Sequence, residues 1–100
     1  MDQLIKQVEK WSIDKGLDKG NSFTQFTKTI EEQGEIAAAL CRNDIDELRD
    51  GIGDVIVTLV ILAQQNGMSL QECLEQAYRE IKGRKGKTIN GTFIKESDLS

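Results

Sequence analysis

The apolar positions of this chain recur at helical intervals and do not alternate. Leu4, Val8 and Trp11 stand at i, i+4 and i+7 with Ile5 beside them, which predicts a helix over 1–15, ended by Gly16 and the polar stretch after it. Asn21 or Ser22 offers a side-chain oxygen to the free N–H groups of a second helix. That helix is expected over 22–42, with Phe23, Phe26, Ile30, Ala37, Leu40 and Cys41 available for burial. Asn43 and Asp44 read as a break and a new cap. The run DVIVTLVIL that follows is rich in β-branched residues and suits a strand on propensity alone. No turn signal interrupts 45–66, however, and that length favours a helix. Its apolar positions wrap nearly all round, as in a central, buried helix. Asn66-Gly67 closes it and Ser69 caps a fourth helix over 69–83, where Leu70, Cys73, Leu74, Ala77, Tyr78 and Ile81 form one stripe. Cys73 sits within that stripe and reads as core filling. In the remaining tail, 86–100, Asn90-Gly91 is a hairpin-type turn signal between Ile89 and Phe93. The expected fold is therefore all-α, a four-helix-type bundle in one domain with a short non-helical C-terminal tail.

Composition narrows the chemistry. At 100 residues the chain has room for one domain. It has no histidine, so imidazole is excluded as a base or metal ligand. The two cysteines, Cys41 and Cys73, lie far apart and fit a reduced cytosol better than a disulfide framework. No segment reaches about 18 uncharged apolar residues, and the start lacks a signal-peptide core. A cytoplasmic protein with no membrane partner is expected. A third helix that is apolar all round needs more cover than three neighbours supply, which predicts at least a homodimer. The net charge of −4 argues against a nucleic-acid polymer as partner. Four of the 13 basic groups crowd into KGRKGK at 82–87, so a very acidic body ends in one basic patch. Such a division suits a site that holds cations first and phosphates second.

Two groups of carboxylates stand out. On the second helix Glu32 and Glu35 share a face with Lys28, and Glu31 flanks it. On the third, Glu47, Asp50 and Asp54 fall at i, i+3 and i+7. Asp54 opens the most apolar run in the chain, where an unpaired ionised carboxylate costs several kcal/mol. Either a cationic side chain, Lys28 or a C-terminal lysine, or a metal ion would offset that cost. The short connection at 42–44 would set the two helices antiparallel, with glutamates facing aspartates across a groove. Oxygen ligands alone point to a hard cation, Mg²⁺ or Mn²⁺.

The string Glu31-Glu32-Gln33-Gly34-Glu35, followed by Ile52-Gly53-Asp54-Val55-Ile56, resembles the MazG family of all-α nucleoside triphosphate pyrophosphohydrolases, whose hallmark is EExxE, a spacer, then ExxD. The ending from Ala77 to Lys87, with Asn90-Gly91 and Phe93, is similar to the short single-domain members of Gram-positive bacteria and their phages. The resemblance implies a helical bundle that assembles as a homodimer or dimer of dimers. It also implies Mg²⁺-dependent cleavage of a nucleoside triphosphate to monophosphate and pyrophosphate. Carried over by position, Glu32, Glu35 and Asp54 match the metal ligands. The family glutamate three residues before Asp54 is Gly51 here, and Asp50 is the expected substitute. Glu31 is expected as an outer ligand or as the base for water. Lys28, Lys82, Arg84 and Lys85 are candidates to bind phosphate, although the cluster from Lys82 also suits a helix C-terminus. Trp11 is a candidate to stack on a base, against a plain role in the core. Two other readings stay open: a related all-α pyrophosphatase acting on dUTP, dCTP or phosphoribosyl-ATP, and a catalytically silent helical oligomerisation or binding module.

Overall fold

The computed structural model describes residues 2–99. They form four α-helices, α1 (Asp2–Asp14), α2 (Ser22–Cys41), α3 (Ile45–Gln65) and α4 (Leu70–Ile81), followed by two short strands, β1 (Gly86–Ile89) and β2 (Thr92–Lys95). Single 3₁₀ turns lie at Leu17–Lys19 and Glu96–Asp98. The fold is all-α with one small two-stranded sheet. No helix among the described residues is long and apolar enough to cross a membrane.

The helix ends follow from local chemistry. Asn21 Oδ1 accepts from the N–H groups of Phe23 at 2.9 Å and Thr24 at 3.1 Å, satisfying two otherwise free donors at the start of α2. Asp44 does the same for α3, accepting from Glu47 N–H at 3.0 Å. Between the two helices Asn43 takes a left-handed conformation, φ 55°, which Asn tolerates better than most residues. DVIVTLVIL is helical throughout, its β-branched residues notwithstanding.

The chain divides into two compact units, one up to Leu70 and one from Gln71 on. In the first, α2 lies antiparallel to α3 and α1 packs on α3. Val60 is wholly buried, and Ala39, Ile61 and Ala63 are nearly so. Polar clamps tie the far end of α3 to the elements before it. Gln64 donates to the Glu9 carbonyl (3.1 Å), Gln65 to the Leu17 carbonyl (3.0 Å), and Asn66 to Ser22 Oγ (2.9 Å).

The face that α2 turns to α3 is not its apolar stripe. Gln25, Thr29 and Ala39 are buried and Glu32 and Ile36 half-buried, a spacing of four, three, four and three residues. Phe23, Phe26, Ile30 and Leu40, expected in the core, are exposed, Phe23 by 86%. The third helix is likewise not covered on every side, since Ile52 and Ile56 are exposed. One hundred residues contain too few helices to enclose it, and the polar seam with α2 occupies one of its faces.

The second unit contains α4 and an antiparallel hairpin with Thr88 opposite Phe93 and Ile89 opposite Thr92. Asn90 (φ 51°) and Gly91 (φ 81°) make the two-residue turn, both left-handed as such a hairpin requires. The tail is thus extended and paired. Cys73 is exposed rather than core filling, and Leu74, Tyr78 and Ile81 of the same stripe are exposed with it.

Candidate functional site

The α2–α3 seam brings four of the expected carboxylates within electrostatic reach of one another. Glu32 comes from the middle of α2, with Glu35 one turn on. Asp54 comes from the middle of α3, with Asp50 one turn before it. Burial pushes the Glu32 carboxyl above its usual range, and the charges of Glu35, Asp54 and Asp50 add to the rise. Asp54 is raised for the same reasons, burial first and then Asp50 and Glu35. Each helix supplies charge that acts on the other, as antiparallel packing at this register demands.

Among the described residues of the first unit, no cationic side chain pairs with these acids. The ion pairs among the described residues are Lys10–Asp14 and Arg49–Asp46, both exposed and both within one helix. Lys28, one turn before Glu32, is exposed and pairs with none of the four carboxylates. Pairing by Lys28 therefore does not account for Asp54. Glu32 Oε2 is buried with no hydrogen-bond partner. An acceptor-only oxygen, out of water and among like charges, fits a bound hard cation. Among the described residues no three such side chains are already closed into a metal-binding group. The donor set suits Mg²⁺ in chemistry, and the side chains would have to close upon it. Glu31 is exposed and is not among the groups acting on Glu32 or Asp54.

Gly51 is buried against α2. A Cβ built on it would stand 2.9 Å from Ile36 Cγ1. The position three residues before Asp54 thus points into the helix contact, whereas Asp50, four residues before, shares the face of Asp54. The missing carboxylate at Gly51 leaves no open space for a side chain.

A cavity of about 570 Å³ opens between α1 and α3 beside these acids. Leu4, Ile5 and Val8 line its apolar wall, and Arg49, Asp50 and Asp54 lie on its polar side. The sequence pattern did not single out Arg49 or this wall, because nothing in the spacing of α1 marks Leu4 and Val8 as more than core. Trp11 is half exposed at 47%, beside Gln7, Val8 and Val57, so it is not a core residue. Also missed were Gln25, Thr29 and Thr58, buried polar residues of the seam. Their signal was present: Thr29 lies three residues before Glu32 and Thr58 four after Asp54.

Lys82, Arg84 and Lys85 belong to the second unit. Lys82 Nζ lies 5.9 Å from the centre of the Tyr78 ring, within cation–π range. Lys82 and Arg84 line a cavity of about 560 Å³ with Tyr78, Ile81 and Phe93. Lys85 contributes its carbonyl to a bond from Glu96 N–H at 2.7 Å.

Comparison with known proteins bears out the family resemblance. The MazG nucleotide pyrophosphohydrolase domain matches residues 22–89, which include α2, α3, α4 and β1. A protein of Haemophilus phage HP1 (strain HP1c1), described as an uncharacterized 18.2 kDa protein in the rep-hol intergenic region, is 42% identical over 67 residues. That match takes in 66% of this chain and 41% of the phage protein, so the chain spans about two fifths of that relative's length. No solved structure matches.

Proposed function

Because this chain belongs to the MazG nucleotide pyrophosphohydrolase domain family, we propose that it hydrolyses a nucleoside triphosphate to the monophosphate and pyrophosphate at the α2–α3 carboxylates. The observation that carries this reading is the buried Glu32 Oε2, without a hydrogen-bond partner among the described residues, beside Glu35, Asp50 and Asp54. Glu32, Glu35, Asp50 and Asp54 would hold Mg²⁺, or Mn²⁺ in its place, which when bound screens the phosphates and lowers the pKa of a coordinated water. Water attacks the α-phosphorus, the bond from that phosphorus to the bridging oxygen breaks, and pyrophosphate leaves. Glu31, exposed at the edge of the group, would take the water's proton or bind an outer water. Lys28 would meet the phosphate chain from the preceding turn of α2. Lys82, Arg84 and Lys85 are proposed phosphate ligands on charge alone, with arginine suited to two parallel bonds. The apolar wall of Leu4, Ile5 and Val8 is the proposed cover for the nucleoside, with Trp11 at its edge for stacking.

The proposed assembly is a homodimer or dimer of dimers. It is supported by the exposed apolar rows Phe23, Phe26 and Ile30 on α2 and Leu74, Tyr78 and Ile81 on α4. Incubation with a panel of ribo- and deoxyribonucleoside triphosphates, dUTP, dCTP and phosphoribosyl-ATP in Mg²⁺, with assay of monophosphate and pyrophosphate, tests the reading and selects the substrate. Absence of turnover on every member would leave a helical binding module.

A further inference from the structure

The carboxylates lie between two contacts that hold α2 and α3 together. On α2 the order is Thr29, Glu32, Ile36; on α3 it is Gly51, Asp54, Thr58. Both run three residues and then four. Ile36 meets Gly51 at one end of this segment in a close approach that leaves no room for a Cβ. At the other end the contact is polar. Gln25 Nε2 donates to the Thr58 carbonyl at 3.1 Å. Thr29 Oγ1 lies 3.0 Å from Thr58 Oγ1 and 3.3 Å from the Gln25 carbonyl. Thr58 sends its own hydroxyl proton to the Val55 carbonyl at 2.6 Å. Its lone pairs therefore receive the Thr29 hydroxyl.

The geometry points to Thr58, with Thr29 and Gln25, as a positioning group that fixes the register of α2 against α3 and thereby the separation of Glu32 from Asp54. This rests on the metal-dependent reading above. Two different atoms of Thr58 are held, its side-chain oxygen by Thr29 and its backbone oxygen by Gln25. A slide of α2 along α3, or a roll about its axis, breaks at least one of these bonds in a place where water cannot replace it, since Thr29 is 2% and Gln25 7% exposed. An apolar seam of Leu and Val would tolerate small slips, whereas directional bonds select one register. The short loop at 42–44 joins the two helices at one end only, so the spacing of carboxylates midway along them depends on contacts within the seam. The polar lock on one side and the Gly51–Ile36 contact on the other supply them, each one turn from the ligands. None of the three side chains needs to touch the metal or the substrate.

The test compares Thr58→Val, which keeps the shape and loses the hydroxyl, with Thr58→Ser, which keeps the hydroxyl. Mn²⁺ binding to the full chain, followed by loss of the free-ion electron paramagnetic resonance signal, is the first readout. The Mg²⁺ concentration giving half-maximal turnover is the second. Thr58→Val should weaken Mn²⁺ binding by about 10-fold or more, the scale seen when a partner behind a metal ligand is lost. Thr58→Ser should recover most of it. Should Thr58→Val fail to fold, Thr29→Val removes one bond of the lock and should weaken Mn²⁺ binding in the same direction. Folded Thr58→Val or Thr29→Val with a lower melting temperature but wild-type Mn²⁺ affinity would overturn the positioning role. Asp54→Asn separates the two levels. If it loses Mn²⁺ and Thr58→Val does not, the metal reading stands and the positioning group falls. If the wild type takes up no Mn²⁺, both fall.

Discussion

Writing the family's glutamate back at Gly51 should damage this protein rather than improve it. A Cβ at that position stands 2.9 Å from Ile36 Cγ1. Carbon atoms rest comfortably at about 3.5–4.0 Å, so Ile36 or the helix behind it must yield by roughly 0.6–1 Å. Overpacking of this kind costs about 1–3 kcal/mol. Replacing a mid-helix glycine by alanine returns about 1 kcal/mol of helix propensity. Gly51→Ala should therefore lose about 1 kcal/mol net, which for a domain of this size lowers Tm by about 4–8 °C. Gly51→Glu should lose more, because its carboxylate either enters the seam or adds repulsion to Glu32 and Asp54. The assay is thermal unfolding followed by circular dichroism, once in EDTA and once in millimolar Mg²⁺, on the two variants and on Asp50→Ala with and without Gly51→Glu. The double variant should be as inactive as Asp50→Ala. Gly51→Glu melting within about 2 °C of wild type, on the same scale, with a larger metal-induced rise, would refute the reasoning and make position 51 an unused ligand position.

Three other outcomes follow from the same geometry. Mg²⁺ should raise the melting temperature with a gain logarithmic in its concentration; Glu35→Gln and Asp54→Asn should each reduce that gain and remove turnover, while Asp54→Asn stabilises the metal-free protein by deleting one repelling charge. Glu32 and Asp54 bind protons more tightly in the folded chain than in the unfolded one, so their contribution to stability is greatest below the usual carboxylate range and is lost as pH rises through their raised values. Metal-free wild type should thus lose melting temperature as pH rises above the usual carboxylate range, and Glu32→Gln/Asp54→Asn should lose less; equal slopes would remove the repulsion argument. Sedimentation at micromolar concentration should show a dimer or larger, and Phe26→Glu should shift it toward monomer; a well-folded wild-type monomer would end the assembly proposal.

The helix limits were legible because they rest on local chemistry. Asn21, Asp44 and Asn43 cap or break helices through atoms within a few residues of themselves, and Asn90-Gly91 turns a hairpin by the same kind of rule. Helical spacing and the short loop together set Glu32 and Glu35 toward Asp50 and Asp54 but put Glu47 on the same face, and only the family resemblance narrowed the group to those four. What spacing could not give was which face of α2 meets α3. Hydrophobicity selects Phe23, Phe26 and Ile30, yet the seam is made by Gln25, Thr29 and Glu32, and Gln25 and Thr29 reach across it to Thr58. Gly51 misled for a related reason: comparison with the motif presents it as a missing ligand, and only the approach of Ile36 reveals that a side chain is unwelcome there. Cys73, placed in the core by its stripe, is exposed because an amphipathic pattern records that a face is apolar, not what covers it.

The inversion of α2, with polar residues inward and phenylalanines outward, bears on how the sequence can drift. An outward apolar row asks only for bulk and greasiness, so leucine, methionine or isoleucine could replace Phe23, Phe26 or Ile30 at little cost to the fold of the chain itself. The seam has no such latitude. Thr58 has to offer an acceptor on its side chain and fit against Thr29, Gln25 has to reach a particular carbonyl, and position 51 has to carry no side chain. In a library of random substitutions the tolerant positions of α2 should therefore include its exposed Phe23, Phe26 and Ile30, and the intolerant ones its buried Gln25 and Thr29. That reverses the usual profile of a small helical domain.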